Sequence, residues 1–428
     1  MAIERQTTDL MLDEVLANDP RIAAVAGGLL ARGIGRGDIV SWRMPNSDAP
    51  MLLYRACWRI GAVAAPVHHL GDAAPLGHFV DALPDGPPVT ESAAAPDDIA
   101  VMLGTSGSSG APKLVRHTHR ALAYKARLMV GVHGLTPDDA VLMPAPLAHI
   151  SGLLNGVLVP GAAPFRAVFM AKWDADEAAA LIDRERITFM VGPPTFFVDL
   201  MSAAAPPTTL RLISSGGAGV TAAFCEQATA TLGARVKRTY GSTEAPTITT
   251  SGVGDPVERG WNTDGRAVGD AEVRLGENAE LHVRGPELFV GYADADQTAA
   301  AMTIDGWFRT GDTATIDDEG WVTITGRLGA VIIRGGENVS ASEIEGHLER
   351  HPAVRQAVVV GYPDDRLGER VAAVVIADEG FDVAACQQWF AELGVARFKT
   401  PERIVRVDAI PTLAAGKPDR AAVSRLLA

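Results

Sequence analysis

One segment of the sequence combines glycines, hydroxyl side chains and a lysine in a pattern suited to holding phosphate. The segment is Thr105-Ser106-Gly107-Ser108-Ser109-Gly110-Ala111-Pro112-Lys113, and it follows a run of residues, 99–104, that is typical of a β-strand. Glycines let backbone N–H groups converge on an anion, the hydroxyls add donors, and Lys113 adds a positive charge. We therefore predict a phosphate-binding loop, with a strand before it and a helix from about residue 117 after it.

Two better-known kinds of loop do not fit this spacing. A Walker loop needs adjacent Gly and Lys, whereas two residues separate Gly110 from Lys113. A nucleophile elbow needs a serine with glycine two positions before and two after, and no serine of the segment has both. A Gly/Ser turn without a ligand is the remaining alternative, and the length of the fitting stretch, from Leu103 to Lys113, argues against it.

Later segments carry residues that could complete a nucleotide site. Asp312 follows a glycine, and its carboxylate could accept two hydrogen bonds from a diol. Glu244 offers hard oxygen ligands to Mg²⁺, and Lys417, after Gly416, could swing in as a cation. Taken alone, each residue also has a structural interpretation. Asp312 could be a turn residue, Glu244 a helix cap, and Lys417 a solvated surface lysine.

In their order along the chain, these segments resemble the motifs of the adenylate-forming superfamily, which includes acyl-CoA synthetases, peptide-synthetase adenylation domains and luciferases. The resemblance covers roughly residues 22–425. It implies that Tyr240 lies against adenine, that Thr243 meets the α-phosphate, and that Asp312 and Arg327 hold the ribose. The ATP- and AMP-binding residues that it implies are Thr105, Ser106, Gly107, Ser108, Ser109, Gly110, Lys113, Gly216, Gly217, Ala218, Tyr240, Gly241, Ser242, Thr243, Asp312, Arg327 and Lys417.

The resemblance also implies a reaction. A carboxylic acid would attack the α-phosphorus of ATP to give an acyl-adenylate and pyrophosphate, and the thiol of CoA would then take the acyl group. Lys417, Thr243, Glu244 and Lys113 would be catalytic, with Glu244 holding Mg²⁺. The pocket for the acyl group and CoA would contain His149, Gly192, Gly335 and Gly336. The implied cofactors and substrates are ATP, Mg²⁺, coenzyme A and a small carboxylic acid.

The chain departs from the family pattern in three ways. Ala330 stands at the hinge position where relatives have Asp or Lys, which puts the kinetics of domain movement in doubt. Ala148 replaces the aromatic residue that usually precedes the histidine of the acyl pocket, His149. The chain is also shorter than most relatives, chiefly at its N-terminus and within residues 67–99.

The elements that must position these residues alternate between strand and helix patterns up to about residue 265, which predicts largely parallel, doubly wound sheets. Short alternating segments then indicate antiparallel hairpins. We predict an α/β fold with a large N-terminal AMP-binding domain over residues 1–326, including a small antiparallel β subdomain. A hinge at 327–330 and a small, mobile α+β C-terminal domain at 331–428 complete the prediction.

Composition excludes several classes of function. The 428 residues carry 38 Lys+Arg and 52 Asp+Glu, and the net charge of −14 disfavours nucleic acid and anionic membranes as partners. The apolar stretches are too short for an integral membrane segment. Three widely spaced cysteines and no secretory signal predict a cytoplasmic protein. A zinc site is not expected at His68, His69, His117 and His119, because neither an HExxH pattern nor a cysteine partner accompanies them. Composition does not determine the oligomeric state.

The leading hypothesis is an ATP-dependent acid–CoA ligase. An adenylation enzyme that passes its acyl group to a carrier protein, and a non-catalytic adenylate-binding relative, remain alternatives. A dinucleotide-dependent oxidoreductase is suggested by a GxGxxA pattern at residues 217–222, but Lys237 and Arg238 occupy the region where an acidic residue would bind ribose.

Overall fold

The structure is a computed structural model, which describes residues 11–17, 19–69, 73–105, 113–328, 331–334, 337–364, 366–413 and 417–427. Several residues singled out by the sequence lie outside these ranges: Ser106, Gly107, Ser108, Ser109, Gly110, Ala330, Gly335 and Gly336. The predictions made for them remain predictions.

The large N-terminal domain contains the strands that the sequence pattern indicated, together with others that it did not. In chain order they are β1 (Ile39–Ser41), β2 (Val63–Ala64), β3 (His78–Phe79), β4 (Ile99–Thr105), β5 (Lys113–Thr118), β6 (Ala140–Met143), β7 (Arg166–Phe169), β8 (Phe189–Gly192), β9 (Leu212–Gly216), β10 (Arg235–Tyr240), β11 (Thr249–Thr250), β12 (Arg266–Ala267), β13 (Glu272–Leu275), β14 (Glu280–Arg284), β15 (Gly291–Tyr292), β16 (Phe308–Ile316) and β17 (Val322–Arg327).

Helices connect and cover these strands. They are α1 (Leu12–Val15), α2 (Pro20–Ala31), α3 (Asp48–Arg59), α4 (His119–His133), α5 (Ile150–Leu153), α6 (Val159–Ala162), α7 (Ala175–Arg184), α8 (Pro194–Met201), α9 (Ala222–Leu232), α10 (Val257–Asn262) and α11 (Ala295–Ala301). Many begin at a side-chain cap: Thr118 accepts from the amide of Ala121, and Thr221 from the amide of Phe224.

The described strands of this domain form three sheets. One has the order β15-β5-β4-β2-β1-β3, the second β12-β11-β10-β9-β8-β6-β7, and the third, antiparallel, β13-β14-β16-β17. Strands β1 to β4 pair in parallel, and so do β6 to β10. Large side chains such as Trp58, Phe189 and Phe197 are buried in the shared core. The α/β class, the doubly wound sheets and the small antiparallel unit are therefore confirmed.

The segment after the predicted phosphate loop differs from expectation. We expected a helix from residue 117, but residues 113–118 form β5, which pairs antiparallel with β4 and places Thr105 opposite Lys113. The helix, α4, begins two residues later, at His119. The strand is favoured because Val115 and His117 alternate with more exposed neighbours and face the core. Lys113 consequently stands on a strand, and no helix N-terminus follows the loop directly.

The small C-terminal domain has a sheet and a hydrophobic core of its own. Its strands are β18 (Val331–Arg334), β19 (Glu337–Ser340), β20 (Val354–Asp364), β21 (Gly368–Ala377) and β22 (Arg403–Arg406), and its helices are α12 (Ala341–Leu348), α13 (Val383–Glu392) and α14 (Arg420–Arg425). Ile344, Val359 and Phe390 are central to one cluster of buried side chains, which contains residues of this domain alone. The expectation of a small α+β domain after a large one is confirmed.

Candidate active site

The predicted nucleotide-binding residues 216–218 lie where β9 ends. Gly217 has a φ of +77°, a left-handed backbone conformation that favours glycine. Gly216 pairs with Thr239 of β10, and a Cβ at Gly216 would lie 2.2 Å from the Thr239 carbonyl oxygen. The two neighbouring strand ends therefore fit together only with a glycine here, and Gly217 and Ala218 follow at the surface of the turn.

Gly216→Ala is expected to lower the free energy of unfolding by about 1–3 kcal/mol, because its methyl group must displace backbone atoms. Urea denaturation measures this change. Gly254→Ala is the matched control, since a Cβ at Gly254 meets nothing within 4 Å, and it is expected to change stability by less than about 0.5 kcal/mol. Equal losses in the two variants would contradict the close packing of Gly216 on Thr239.

The loop after β10, residues 240–244, is held by hydrogen bonds to its backbone. His117 donates from Nε2 to the carbonyl oxygen of Thr243 over 2.7 Å, and the amide of Phe289 donates to the carbonyl oxygen of Glu244 over 2.9 Å. Burial lowers the pKa of His117 to about 4, so its imidazole is neutral at pH 7. The side chains of Thr243 and Glu244 therefore extend from a fixed backbone.

Glycine and serine make this loop compact. A Cβ at Gly241 would lie 2.3 Å from the amide nitrogen of Thr247, so that only glycine fits. Ser242 closes the turn, because its hydroxyl accepts a hydrogen bond from the amide of Ala245 over 3.2 Å. Gly241 and Ser242 therefore shape the turn that presents Thr243 and Glu244.

Tyr292 connects Glu244 with Lys113. Its hydroxyl donates to Oε1 of Glu244 over 2.7 Å, and Nζ of Lys113 lies 4.9 Å from the centre of its ring. The Tyr292 side chain is buried, and burial raises its pKa well above the ordinary value, so the hydroxyl keeps its proton. At the far end of β4, the hydroxyl of Thr105 donates to the carbonyl oxygen of Lys113 over 3.4 Å. The structure thus brings the predicted phosphate-binding lysine and the predicted metal ligand together.

Glu244 has the chemistry that a magnesium ligand needs. Its side chain is only partly buried, and the Tyr292 hydroxyl engages one of its two carboxylate oxygens. In nucleotide-dependent enzymes Mg²⁺ is commonly held by one or two carboxylates together with substrate phosphates. Glu244 could therefore hold Mg²⁺ jointly with a bound nucleotide.

Asp312 and Arg327 face each other across β16 and β17. They are partners in the strand register, and Nε of Arg327 lies 3.7 Å from Oδ1 of Asp312. Tyr240 donates from its hydroxyl to Oδ2 of Asp312 over 2.7 Å. Burial raises the pKa of Asp312, while the Tyr240 hydrogen bond and the Arg327 charge act to lower it. A carboxylate beside an exposed guanidinium is suited to binding the two hydroxyls of a ribose.

Lys417 crosses from the C-terminal domain to this cluster. A Cβ at Gly217 would lie 3.1 Å from Cε of Lys417. Crowding by protein lowers the pKa of Lys417, and the charge of Arg327 lowers it further, whereas Asp312 and Glu244 oppose the change. The Lys417 side chain nevertheless remains exposed. Thr412 and Pro418, which lie on either side of Lys417 in the sequence, pair in an isolated antiparallel bridge.

His149 lies within electrostatic reach of Lys417. It precedes α5, and its ring centre lies 5.3 Å from that of His68. Burial lowers the pKa of His149 to about 4, and the nearby His68 and Lys417 add to this effect. Gly192 is the last residue of β8. A Cβ at Gly192 would lie 2.7 Å from the ring of Phe196, so the two residues are closely packed.

A cavity of about 630 Å³ opens beside these residues and is lined by both domains. His68, His69, Trp173 and Phe196 contribute from the large domain, and Ile410 and Leu413 from the small one. The rings of Trp173 and Phe196 are 4.4 Å apart and form one wall. Its size suits a small organic acid or part of a larger acyl group.

Comparison with known proteins agrees with this geometry. The family model of the AMP-binding enzyme matches residues 73–293, and that of the AMP-binding enzyme C-terminal domain matches residues 343–417. The chain belongs to the AMP-binding enzyme family. The resemblance to adenylate-forming enzymes that the motifs indicated is thereby confirmed.

Curated relatives of this AMP-binding enzyme span nearly its full length. The medium-chain fatty-acid–CoA ligase of Escherichia coli is 30% identical over 94% of this chain and 83% of its own. The indoleacetate–CoA ligase of Aromatoleum aromaticum is 31% identical over 95% of this chain and 92% of its own. Triostin synthetase I of Streptomyces triostinicus is 32% identical over 94% of this chain and 87% of its own.

A solved structure shares the fold of this AMP-binding enzyme. The crystal structure of ATP-bound MatB from Rhodopseudomonas palustris aligns with a TM-score of 0.85 and 28% identity, covering 95% of this chain and 92% of that one. The crystal structure of apo MatB from the same organism aligns with a TM-score of 0.74 and also covers 95% of this chain and 92% of its own.

Sequence reasoning missed two residues at the site of this AMP-binding enzyme. Tyr292 lies 48 residues after Glu244, and His117 lies 126 residues before Thr243, so both contacts arise only when distant strands pair. Neither residue belongs to a motif that indicates chemistry. The only sequence signal for Tyr292 is the preceding Gly291, which has a φ of +128° and marks a tight approach of the chain.

Proposed function

We propose that the protein is an AMP-forming acid–CoA ligase, which joins a small carboxylic acid to the thiol of CoA with cleavage of ATP to AMP and pyrophosphate. The observation that carries this proposal is the position of Lys417. A cation from the small domain stands beside Gly217 and within electrostatic reach of Arg327, Asp312 and Glu244.

The first half-reaction must bring two anions together. An oxygen of the acid's carboxylate attacks the α-phosphorus of ATP, and the bond from that phosphorus to the pyrophosphate oxygen breaks. Lys417 would contact both the carboxylate and the α-phosphate, and the Thr243 hydroxyl would add a donor to the α-phosphate. Positive charge fixed at this point lowers the repulsion between the reactants and stabilises the charge that develops in the transition state.

The nucleotide would be oriented by residues on several strands. Asp312 and Arg327 would bind the ribose, while Tyr240 and residues 216–218 would flank the adenine. Thr105, Lys113 and the loop between them would contact the outer phosphates. Glu244 would hold Mg²⁺, which supplies charge neutralisation at the phosphates when it is bound. Holding one end of ATP firmly positions the other end for in-line attack.

The second half-reaction requires a different arrangement of the small domain. The CoA sulfur attacks the acyl carbon, the bond from that carbon to the AMP oxygen breaks, and the thiol proton passes to solvent. We infer that the chain rotates at residues 327–330, between a large domain of residues 1–326 and a small domain of residues 331–428. Lys417 would leave, and the segment containing Gly335 and Gly336 would approach the acyl group beside His149 and Gly192.

The acceptor is proposed to be CoA because the E. coli and A. aromaticum relatives are named as CoA ligases. The reaction would take place in the cytoplasm. The three cysteines, Cys57, Cys225 and Cys386, support this compartment, because all are buried and unpaired. Along the described part of the chain, no helix combines the length and apolar character needed to cross a membrane.

Product analysis tests this function. The protein is incubated with ATP, Mg²⁺ and a panel of aliphatic and aromatic acids, with CoA, with pantetheine or with neither, and products are identified by mass spectrometry. We expect acyl-CoA and AMP in equal amounts when CoA is present, and an acyl-adenylate held by the protein when it is absent. Acyl-adenylate that forms but is never passed to CoA would instead indicate a carrier-protein acceptor.

A further inference from the structure

We propose that Tyr292 is a positioning residue for the metal site, fixing the Glu244 carboxylate and linking it to Lys113. This inference rests on the proposed function, since it takes Glu244 to be the Mg²⁺ ligand. It adds a role for a residue that no nucleotide motif of the chain contains.

The backbone of Tyr292 is fixed to the strand that carries Lys113. In the antiparallel pairing of β15 with β5, Tyr292 lies opposite Val115, and Gly291 lies opposite Arg116. Side chains two residues apart on a strand share a face, so Lys113 and Val115 project to the same side as Tyr292. The distance of 4.9 Å from Nζ of Lys113 to the ring centre follows from this register.

Two further contacts remove freedom from Tyr292. Its amide donates to Oγ1 of Thr298 over 2.8 Å, and its ring packs edge-on against Phe289 with centres 5.0 Å apart. Only 3% of the residue is exposed. Phe289 in turn donates its amide to the carbonyl oxygen of Glu244. Segment 289–292 therefore holds Glu244 at its backbone and at its carboxylate.

The hydrogen bond has a direction that matters for a cation. The hydroxyl of Tyr292 donates to Oε1 over 2.7 Å, which restricts rotation of the carboxylate, and Oε2 would remain for a metal. The aromatic face attracts the Lys113 ammonium by a cation–π interaction. One buried side chain thus sets the spacing between a cation that would meet the outer phosphates and the carboxylate that would meet the metal.

Tyr292→Phe separates these two contributions. It keeps the ring under Lys113 and its packing on Phe289, but it removes the donor to Glu244. Residues that orient metal ligands typically change metal affinity by about 10- to 100-fold when they are replaced. We expect about 10-fold weaker binding of Mn²⁺ to the enzyme in the presence of ATP, measured by electron paramagnetic resonance, and a similar rise in the Mg²⁺ concentration that half-saturates adenylation.

Tyr124→Phe is the matched control. The hydroxyl of Tyr124 also donates to a carboxylate, that of Asp270, over 3.3 Å, at a site apart from the nucleotide motifs. Its removal tests the loss of a tyrosine–carboxylate hydrogen bond as such. Mn²⁺ binding is expected to be unchanged in this variant, and thermal unfolding shows whether each protein is folded.

The Glu244→Gln background decides whether Tyr292 acts through Glu244. Glu244→Gln alone is expected to weaken Mn²⁺ binding, and adding Tyr292→Phe is expected to weaken it no further. Three results would overturn the proposal: normal Mn²⁺ binding by Tyr292→Phe, normal binding by Glu244→Gln, or additive losses in the double variant.

A second variant covers the case that Tyr292→Phe does not fold. Glu244→Asp keeps a carboxylate but shortens it by one methylene, so that it no longer reaches the phenol, and about a 10-fold weaker binding is again expected. Unchanged binding would contradict the proposal. Mn²⁺ binding with ATP requires no acid and no turnover, so a protein that failed the acid panel could still confirm or overturn the role of Tyr292.

Discussion

Lys417→Ala is expected to slow acyl-adenylate formation by about 10²–10³-fold, the usual consequence of removing one group that stabilises transition-state charge. Thioester formation from supplied acyl-adenylate and CoA is expected to proceed at nearly the normal rate, since Lys417 would have left the site by then. Single-turnover assays of the two half-reactions measure this difference. Equal losses in both halves would contradict the role given to Lys417.

Lys399→Ala is the matched control for this experiment. Lys399 belongs to the same domain, and its Nζ pairs with Glu343 at 2.7 Å near the surface. A surface pair of this kind contributes about 0–1 kcal/mol, so both half-reactions should be retained.

The pH profile of adenylation by the wild-type protein also tests the role of Lys417. Since the pKa of Lys417 is lowered, adenylation should decline at a pH below the ordinary lysine value of 10.5, as the ammonium loses its proton.

Asp312→Ala is expected to raise the dissociation constant for ATP by at least about 100-fold. Hydrogen bonds to a charged group contribute about 1.5–3 kcal/mol each, and the carboxylate would accept from two ribose hydroxyls. Calorimetric titration with ATP measures the change. A dideoxy analogue of ATP, which lacks both hydroxyls, should bind wild type and variant about equally, because neither complex contains these bonds.

Asp305→Ala controls for loss of an acidic side chain in the same subdomain. Asp305 is exposed and pairs with Arg274 at 2.8 Å, and its replacement should leave ATP affinity unchanged. If Asp312→Ala bound ATP as tightly as Asp305→Ala, the ribose site would have to lie elsewhere. A loss of equal size for ATP and for the dideoxy analogue would point instead to disruption of Tyr240, which donates to Asp312.

The sequence predicted the fold class and the order of the site motifs because both depend on local patterns. Periodic apolar residues and glycine turns indicated most of the elements from residue 22 onward, and the family motifs lie within segments of a few residues. The pairing of Asp312 with Arg327 follows once their two strands form a hairpin, since only a short turn separates them.

Contacts between distant segments were not predictable in this way. Residues 113–118 were expected to be part of a loop and the start of a helix, and their strand conformation depends on pairing with both β4 and β15. Tyr292 acquires its contacts with Glu244 and Lys113 only through that pairing. The approach of Lys417 to Gly217 depends on how two separately packed domains meet, which no local pattern encodes.

Acid-dependent exchange of radiolabelled pyrophosphate into ATP tests the central claim most directly, because it reports reversible acyl-adenylate formation without requiring an acceptor. We predict exchange with at least one acid of an aliphatic and aromatic panel, dependent on Mg²⁺ and lost in Lys417→Ala. A wild-type protein that binds ATP but shows no exchange with any acid, or the same exchange in Lys417→Ala, would contradict the assignment of this cluster as an acid-activating site.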